Sequence, residues 1–319
     1  MLVLLAPGCI STPRIDPAQR ERLERRSLDL LLRAAQSQTD VVACNAMEAL
    51  VDVAPRDGAP VFRANAQSPS GLIRFAALVA LGEVRDGESL GTMRRAMEDS
   101  DNRIKLAGAF GAVRCGDEQH AGRLFTALDN SPDENLRADA AFLLGRLKEP
   151  RAEKRLRLRM RDKSNKVAVQ VCTALALLND RQAIDQLVQF AQGEAVSRVL
   201  ALQGLVEVAS PRTQDALRLR LADPREYLEH RLIAARALGR IGNRDGFRVA
   251  ADSIGYSSSD GEDVDRTMRV RSLAALALGA IRDPRGLPYL EQLASDQGDM
   301  RTQVAACYAI LQILGATPR

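Results

Sequence analysis

The chain has 319 residues, 46% of them hydrophobic and 27% charged, a balance that supports a packed core and excludes a disordered polymer. Aromatics are only 3% with no Trp, so the core rests on Ala, Leu, Val and Ile, which suits closely packed helices. The net charge of +4 does not by itself imply nucleic acid, and no stretch reaches the roughly 18 apolar residues of a membrane span.

The first ten residues, MLVLLAPGCI, run apolar into Cys9. A lipoprotein signal has a basic start, an apolar stretch and a four-residue box ending in Cys. Only the end of that pattern is present: no Lys or Arg precedes Cys9, and Ala6 and Pro7 are unusual in such a box. Residues 1–15 are read as a truncated signal and tether, with Cys9 as the lipidation candidate. This reading places the protein at a bacterial cell envelope, lipid-anchored on the periplasmic side. A plain N-terminus in the cytoplasm is the alternative.

Residues 16–38 follow as a capping helix. Asp16-Pro17 is a start signal, and Leu23, Leu28, Leu30, Leu31 and Leu32 give the helix an apolar side.

From residue 39 to 315 the chain repeats itself. IRFAALVALGEVRD (73–86), LRADAAFLLGRLKE (136–149), HRLIAARALGRIGN (230–243) and VRSLAALALGAIRD (270–283) share one template of Arg, Ala, Leu-Gly and a closing Asp-like residue. The Arg-equivalent positions are Ala43, Arg74, Lys105, Arg137, Ala168, Arg198, Arg231, Arg271 and Arg301. Their steps of 31, 31, 32, 31, 30, 33, 40 and 30 residues predict about nine stacked units. Apolar residues at helical spacing make each template a first helix. Glu149-Pro150, Ser210-Pro211 and Asp283-Pro284 open second helices, because Pro at the first helical position gives up only an N–H that has no partner. The fold class is therefore all-α, a right-handed solenoid of two-helix units. The step of 40 marks an insertion at 253–267, Ser-rich and acidic, read as an exposed loop. The last unit, QVAACYAILQILG (303–315), is apolar on nearly every side and has no second helix after it. Either it folds onto the end of the solenoid, or that end is a contact surface.

RAEKRLRLRMRDKSNK (151–166) carries the strongest charge cluster. Arg151, Lys154, Arg155, Arg157, Arg159 and Arg161 are the candidates for binding an anion or an acidic partner. No aromatic lies in the stretch, which makes nucleic acid the weakest of those ligands. His120 and His230 are single and read as surface or helix-end residues. Cys44, Cys115, Cys172 and Cys307 read as small core residues. No two of them lie in adjacent repeats, so they are too far apart for disulfides. No catalytic constellation, metal-ligand spacing or phosphate loop appears, so the chain is read as a non-enzyme with no cofactor and no metal.

On its Arg, Ala, Leu-Gly and Asp positions, the chain over roughly 40–314 resembles the HEAT-repeat superfamily, in the short form of the phycobilisome-lyase-like HEAT repeats. The resemblance implies a ladder in which Arg74, Arg137, Arg198, Arg231 and Arg271 face the turn residues Asp86, Asp117, Asp180 and Asp283 of neighbouring repeats. It also implies that second helices line the concave face. The function it implies is a protein-interaction scaffold holding a partner on that face. An enzyme or enzyme accessory of the phycobilin lyase-like class is one alternative, and anion or nucleic-acid binding through 151–166 is another. Deoxyhypusine hydroxylase, of the same repeat class, uses His-Glu dipeptides, and none occurs here.

Overall fold

The computed structural model describes residues 15–258, 263–296 and 298–315. Cys9 and the proposed signal lie outside the described residues. Among the described residues a leading helix, α1 (Pro17–Ala34), precedes nine first helices: α2 (Asp40–Val53), α4 (Gly71–Glu83), α6 (Asn102–Arg114), α8 (Glu134–Leu147), α10 (Asn165–Leu177), α12 (Ala195–Val208), α14 (Leu228–Arg240), α16 (Val264–Ile281) and α18 (Met300–Leu314). Between them run the second helices: α3 (Pro55–Asn65), α5 (Leu90–Ala96), α7 (Ala121–Asn130), α9 (Glu153–Arg159), α11 (Arg181–Gln192), α13 (Gln214–Ala222), α15 (Phe247–Ser253) and α17 (Leu287–Ser295). The described residues contain no strand.

The template residues explain each unit. A first helix is buried on both sides; α10 buries nine residues from Val167 to Ala176. The glycine of Leu-Gly sets the spacing between neighbours. A Cβ on Gly145 would lie 2.8 Å from Cα of Ala174, and one on Gly279 would lie 2.7 Å from Cα of Ala309. Only a bare backbone admits the next first helix that closely. Most first helices then end on a left-handed residue at one repeat position: Arg85, Gly116, Lys148, Asn179, Ala209, Gly242 and Arg282 all have positive φ. The residue after it caps the second-helix segment. Glu149 accepts from the Arg151 amide at 2.9 Å and Asp283 from the Arg285 amide at 3.0 Å. Pro150, Pro211 and Pro284 open short 3-10 turns that lead into the second helices.

The solenoid closes on itself. α18 packs on α2 much as each first helix packs on the next. Across this seam the Tyr308 hydroxyl donates to Asp52 at 2.7 Å and Gln312 Nε2 donates to the same carboxylate at 3.3 Å. α1 lies on α18 beside α17: Gln19 reaches Glu291 at 3.3 Å, Arg26 reaches Ser295 at 3.1 Å, and Arg20 donates to the Leu314 carbonyl. α1 therefore does not cap an open end. It takes on α18 the place that a second helix takes on the other first helices, and it buries Leu23, Leu30, Leu31 and Ala34 there. The apolar α18 is covered on all sides, so it is not a free contact surface.

The insertion ends in helix. Residues 264–267 extend α16, with Asp263 as its cap accepting from the Arg266 amide at 2.7 Å. Arg266 and Asp265 in this extension pair with Glu229 and Arg301 at 3.2 and 3.0 Å. The expectation of loop throughout 253–267 fails over 264–267, where Asp263 is a helix cap and Asp265 an ion-pair partner.

Candidate functional site

The arginines and turn aspartates form two ladders instead of one. Arginines at the start of first helices reach the loop that closes their own repeat. Arg74 meets Asp99 at 3.5 Å, Arg137 meets Asp162 at 2.8 Å, Arg198 meets Glu226 at 3.5 Å, and Arg271 meets Asp296 at 3.3 Å. Arg231 has no carboxylate partner among the described residues and donates to the Leu221 carbonyl at 3.0 Å. Asp86, Asp117 and Asp180 instead receive arginines from the preceding second helix. These pairs are Arg63–Asp86 at 2.8 Å, Arg94–Asp117 at 2.8 Å and Arg157–Asp180 at 2.7 Å. Asp283 is held by Arg285 at 2.6 Å. The expected Arg–Asp pairing fails on geometry: the two residue types sit at opposite ends of the first helix, about twelve positions apart. Hydrogen bonds from the arginines hold the carboxyls of Asp86, Asp117 and Asp283 below the usual carboxylate range.

The basic segment 151–166 spans α9 in the outer layer. First helices, not second ones, surround the centre of the ring, so α9 does not line a concave face. Most of its candidate charges are already engaged. Arg151 pairs with Glu149 at 2.7 Å, Arg155 with Asp129, and Arg157 with Glu153 and Asp180 at 2.9 and 2.7 Å, while Arg159 donates to the Asp129 carbonyl. Lys154 and Arg161 remain exposed with no ion-pair partner among the described residues.

The centre of the ring is a polar lumen that the repeat pattern alone did not reveal. The variable template position three residues before the turn Asp points inward and reads Glu83, Arg114, Arg146, Glu207 and Arg240 in successive repeats, with one Leu between. That run of charges inside otherwise apolar helices was the available signal. Glu83 is clamped by Arg114 at 3.3 Å and Arg146 at 3.0 Å. Further round, a cavity of about 380 Å³ opens between α2, α12, α14, α16 and α18. Its wall includes Glu48, Glu207, Arg236 and Tyr308 beside Ile233, Leu273 and Leu276. Burial raises the Glu207 carboxyl above its ordinary range, with Glu48 adding to the effect and Arg146, Arg240 and Arg236 opposing it.

Family models match the chain in two places: "HEAT repeats" over residues 123–201 and "PBS lyase HEAT-like repeat" over 270–296. The chain carries HEAT-like repeats. Among solved structures, the CpcE–CpcF complex of phycocyanin lyase from Nostoc is similar at 15% identity and a TM-score of 0.44, over 85% of this chain and 98% of that one. Human deoxyhypusine hydroxylase is similar at 17% identity and a TM-score of 0.35, over 95% and 100%. YibA from E. coli is similar at 16% identity and a TM-score of 0.37, over 94% and 98%. No curated protein sequence matches.

Within these HEAT-like repeats the remaining candidates have structural partners. His230 lies at the start of α14, as a helix-end residue, but is buried rather than at the surface, and its Nδ1 lies 2.8 Å from Glu226. It is drawn inside because Glu226 also gathers Arg198 and Arg220. His120 sits 3.3 Å from Asp117. Cys172 and Cys307 are buried and Cys44 and Cys115 half-buried, all four as free thiols. Burial pushes the thiols of Cys44 and Cys307 up to about 11. Among the described residues no group of three or more His, Cys, Asp or Glu could hold a metal ion, and no helix is long and apolar enough to cross a membrane.

Proposed function

We propose that the protein is a non-enzymatic scaffold that binds an acidic, amphipathic segment of a partner protein on the outer face of the ring, across α9, α11 and α13. The observation that carries this reading is a pair of leucines. Leu158 and Leu219 occupy the same repeat position two repeats apart, directly after Arg157 and Arg218, and are 76% and 75% exposed. Between them a groove between α11 and α13 is lined by Val188, Ala191 and Leu217 over a floor of Leu202 and Leu205. Covering each leucine is worth about 1.5–3 kcal/mol. The unpaired Lys154 and Arg161 beside Leu158 favour an acidic occupant. This reading moves the partner from the concave side to the outer face, because the closed ring leaves only a small lumen inside.

Membrane tethering through a lipid on Cys9 belongs to the same proposal. The supporting feature is that α1 begins at an exposed Pro17 in the outer layer, so a tether there leaves the α9–α13 face free. The test is affinity capture from envelope extract with wild type, Leu158→Glu/Leu219→Glu, and Val41→Glu as an exposed control. A stoichiometric partner is expected with wild type and the control and lost with the double variant. Equal recovery by all three rejects the site. Labelling the same cultures with alkynyl palmitate is expected to mark wild type and not Cys9→Ala.

A further inference from the structure

Among the described residues the central lumen contains charged groups of both signs without a hydrogen-bond or ion-pair partner, and Glu207 and Arg236 face one cavity. Oε2 of Glu207 is buried with no hydrogen-bond partner. Arg236, on the same cavity wall, forms no hydrogen bond or ion pair among the described residues, although carboxylates lie within electrostatic reach. Elsewhere in the lumen facing arginines and carboxylates close on each other, as Glu83 does with Arg114 and Arg146. A carboxylate oxygen buried without a partner is costly, and structures that keep one usually satisfy it from outside the chain. The apolar part of the wall is aliphatic, Val206, Ile233, Leu273, Leu276 and Val304, and its other polar side chains include Ser272, Arg301 and Tyr308. Asn45, Glu48 and Gln203 on the same wall are exposed, so the cavity communicates with solvent.

We propose that this lumen is a binding site for a small aliphatic zwitterion of dipeptide size, its ammonium held by Glu207 and its carboxylate by Arg236. The charges select the class. A simple cation placed at Glu207 would lie near the cationic Arg236, and a simple anion at Arg236 would lie near Glu207 and Glu48. A molecule carrying both signs satisfies both groups and leaves its body against the leucine and isoleucine wall. A cavity of about 380 Å³ lies near the small end of ligand pockets, roughly 300–1,000 Å³. The site is separate from the outer α9–α13 face, and either can fail without the other.

The test is isothermal titration of the full chain with Leu-Leu, with N-acetyl-Leu-Leu, which lacks the ammonium, and with Leu-Leu amide, which lacks the carboxylate. Leu-Leu is expected to bind one to one, with each analogue weaker by at least about tenfold, the loss of one charge-assisted hydrogen bond. Glu207→Gln is expected to weaken Leu-Leu by a similar factor while leaving the acetylated analogue unchanged. Arg236→Gln is expected to weaken Leu-Leu while leaving the amide unchanged. If a variant fails to fold, by far-UV circular dichroism, the analogue series on wild type decides. Absence of saturable binding at millimolar Leu-Leu overturns the proposal, as does equal binding of all three compounds.

Discussion

Deleting residues 1–36 is expected to turn a monodisperse ring into a self-associating, strongly destabilised chain. α1 covers α18, in which every residue from Thr302 to Gln312 is buried. Its own contribution is Leu23, Leu30, Leu31, Ala34 and Ala35. At about 1.5–3 kcal/mol per buried leucine, three leucines supply roughly 5–9 kcal/mol, comparable with the whole stability of an ordinary domain at about 5–15 kcal/mol. Repeat proteins hold each unit only through its neighbours, so an uncovered α18 also loosens its contact with α2 and opens the seam. Light scattering after size exclusion should show oligomers, and the melting temperature should fall by at least about 10 °C. An unchanged elution and melt would show that the ring closes without α1. Tyr308→Phe is the mild comparison. It removes one seam hydrogen bond, worth about 1 kcal/mol, and Asp52 keeps its bond from Gln312.

The repeat was legible because its period is written in residues that only helix packing explains. Leu-Gly marks where neighbouring first helices touch, and Asp-Pro or Glu-Pro marks where second helices begin. Ring closure was not legible. Nothing local in α1 distinguishes a cap from the missing partner of α18; the distinction lies in the accumulated rotation from repeat to repeat, which no single repeat encodes. The ladders were half legible. Arg137 and Asp180 stand out as positions, but their partners, Asp162 and Arg157, occupy template positions filled by other residue types in several repeats. Phe125 and Val188 stand where Arg63, Arg94, Arg157 and Arg218 stand elsewhere, so the second ladder is interrupted and its period blurred. The lumen charges were visible as letters, yet their meaning depends on first helices facing inward. The family resemblance pointed the other way.

Replacing Arg137 by Met is expected to cost about 3–5 kcal/mol at neutral pH, the largest effect of any single ladder arginine. Its guanidinium and the Asp162 carboxylate are almost fully buried, with side chains 5% and 3% exposed, and they meet through two hydrogen bonds of 3.0 and 2.8 Å. Arg137 also donates to the carbonyls of Ser131 and Pro132 at 3.0 and 3.1 Å, tying one inter-repeat loop to the next. Met keeps the apolar stem, so the loss isolates the charge. Burial works to raise the Asp162 carboxyl, but the hydrogen bonds from Arg137 and from the Ser164 amide outweigh it, and the group titrates below its ordinary range. A carboxyl depressed in the folded state stabilises above its unfolded value of about 3.9, and that stability is lost as pH falls through the folded value. In Arg137→Met the carboxyl is left buried without its cation and is driven upward instead, so protonation relieves the variant while it weakens the wild type. The stability gap between the two, read from urea unfolding, should therefore be widest near pH 7 and narrow as pH falls, first where the raised carboxyl of the variant protonates, above the unfolded value of about 3.9, and then on through the depressed value of the wild type. A gap that stays constant across that range would assign the effect to packing of the arginine rather than to its charge.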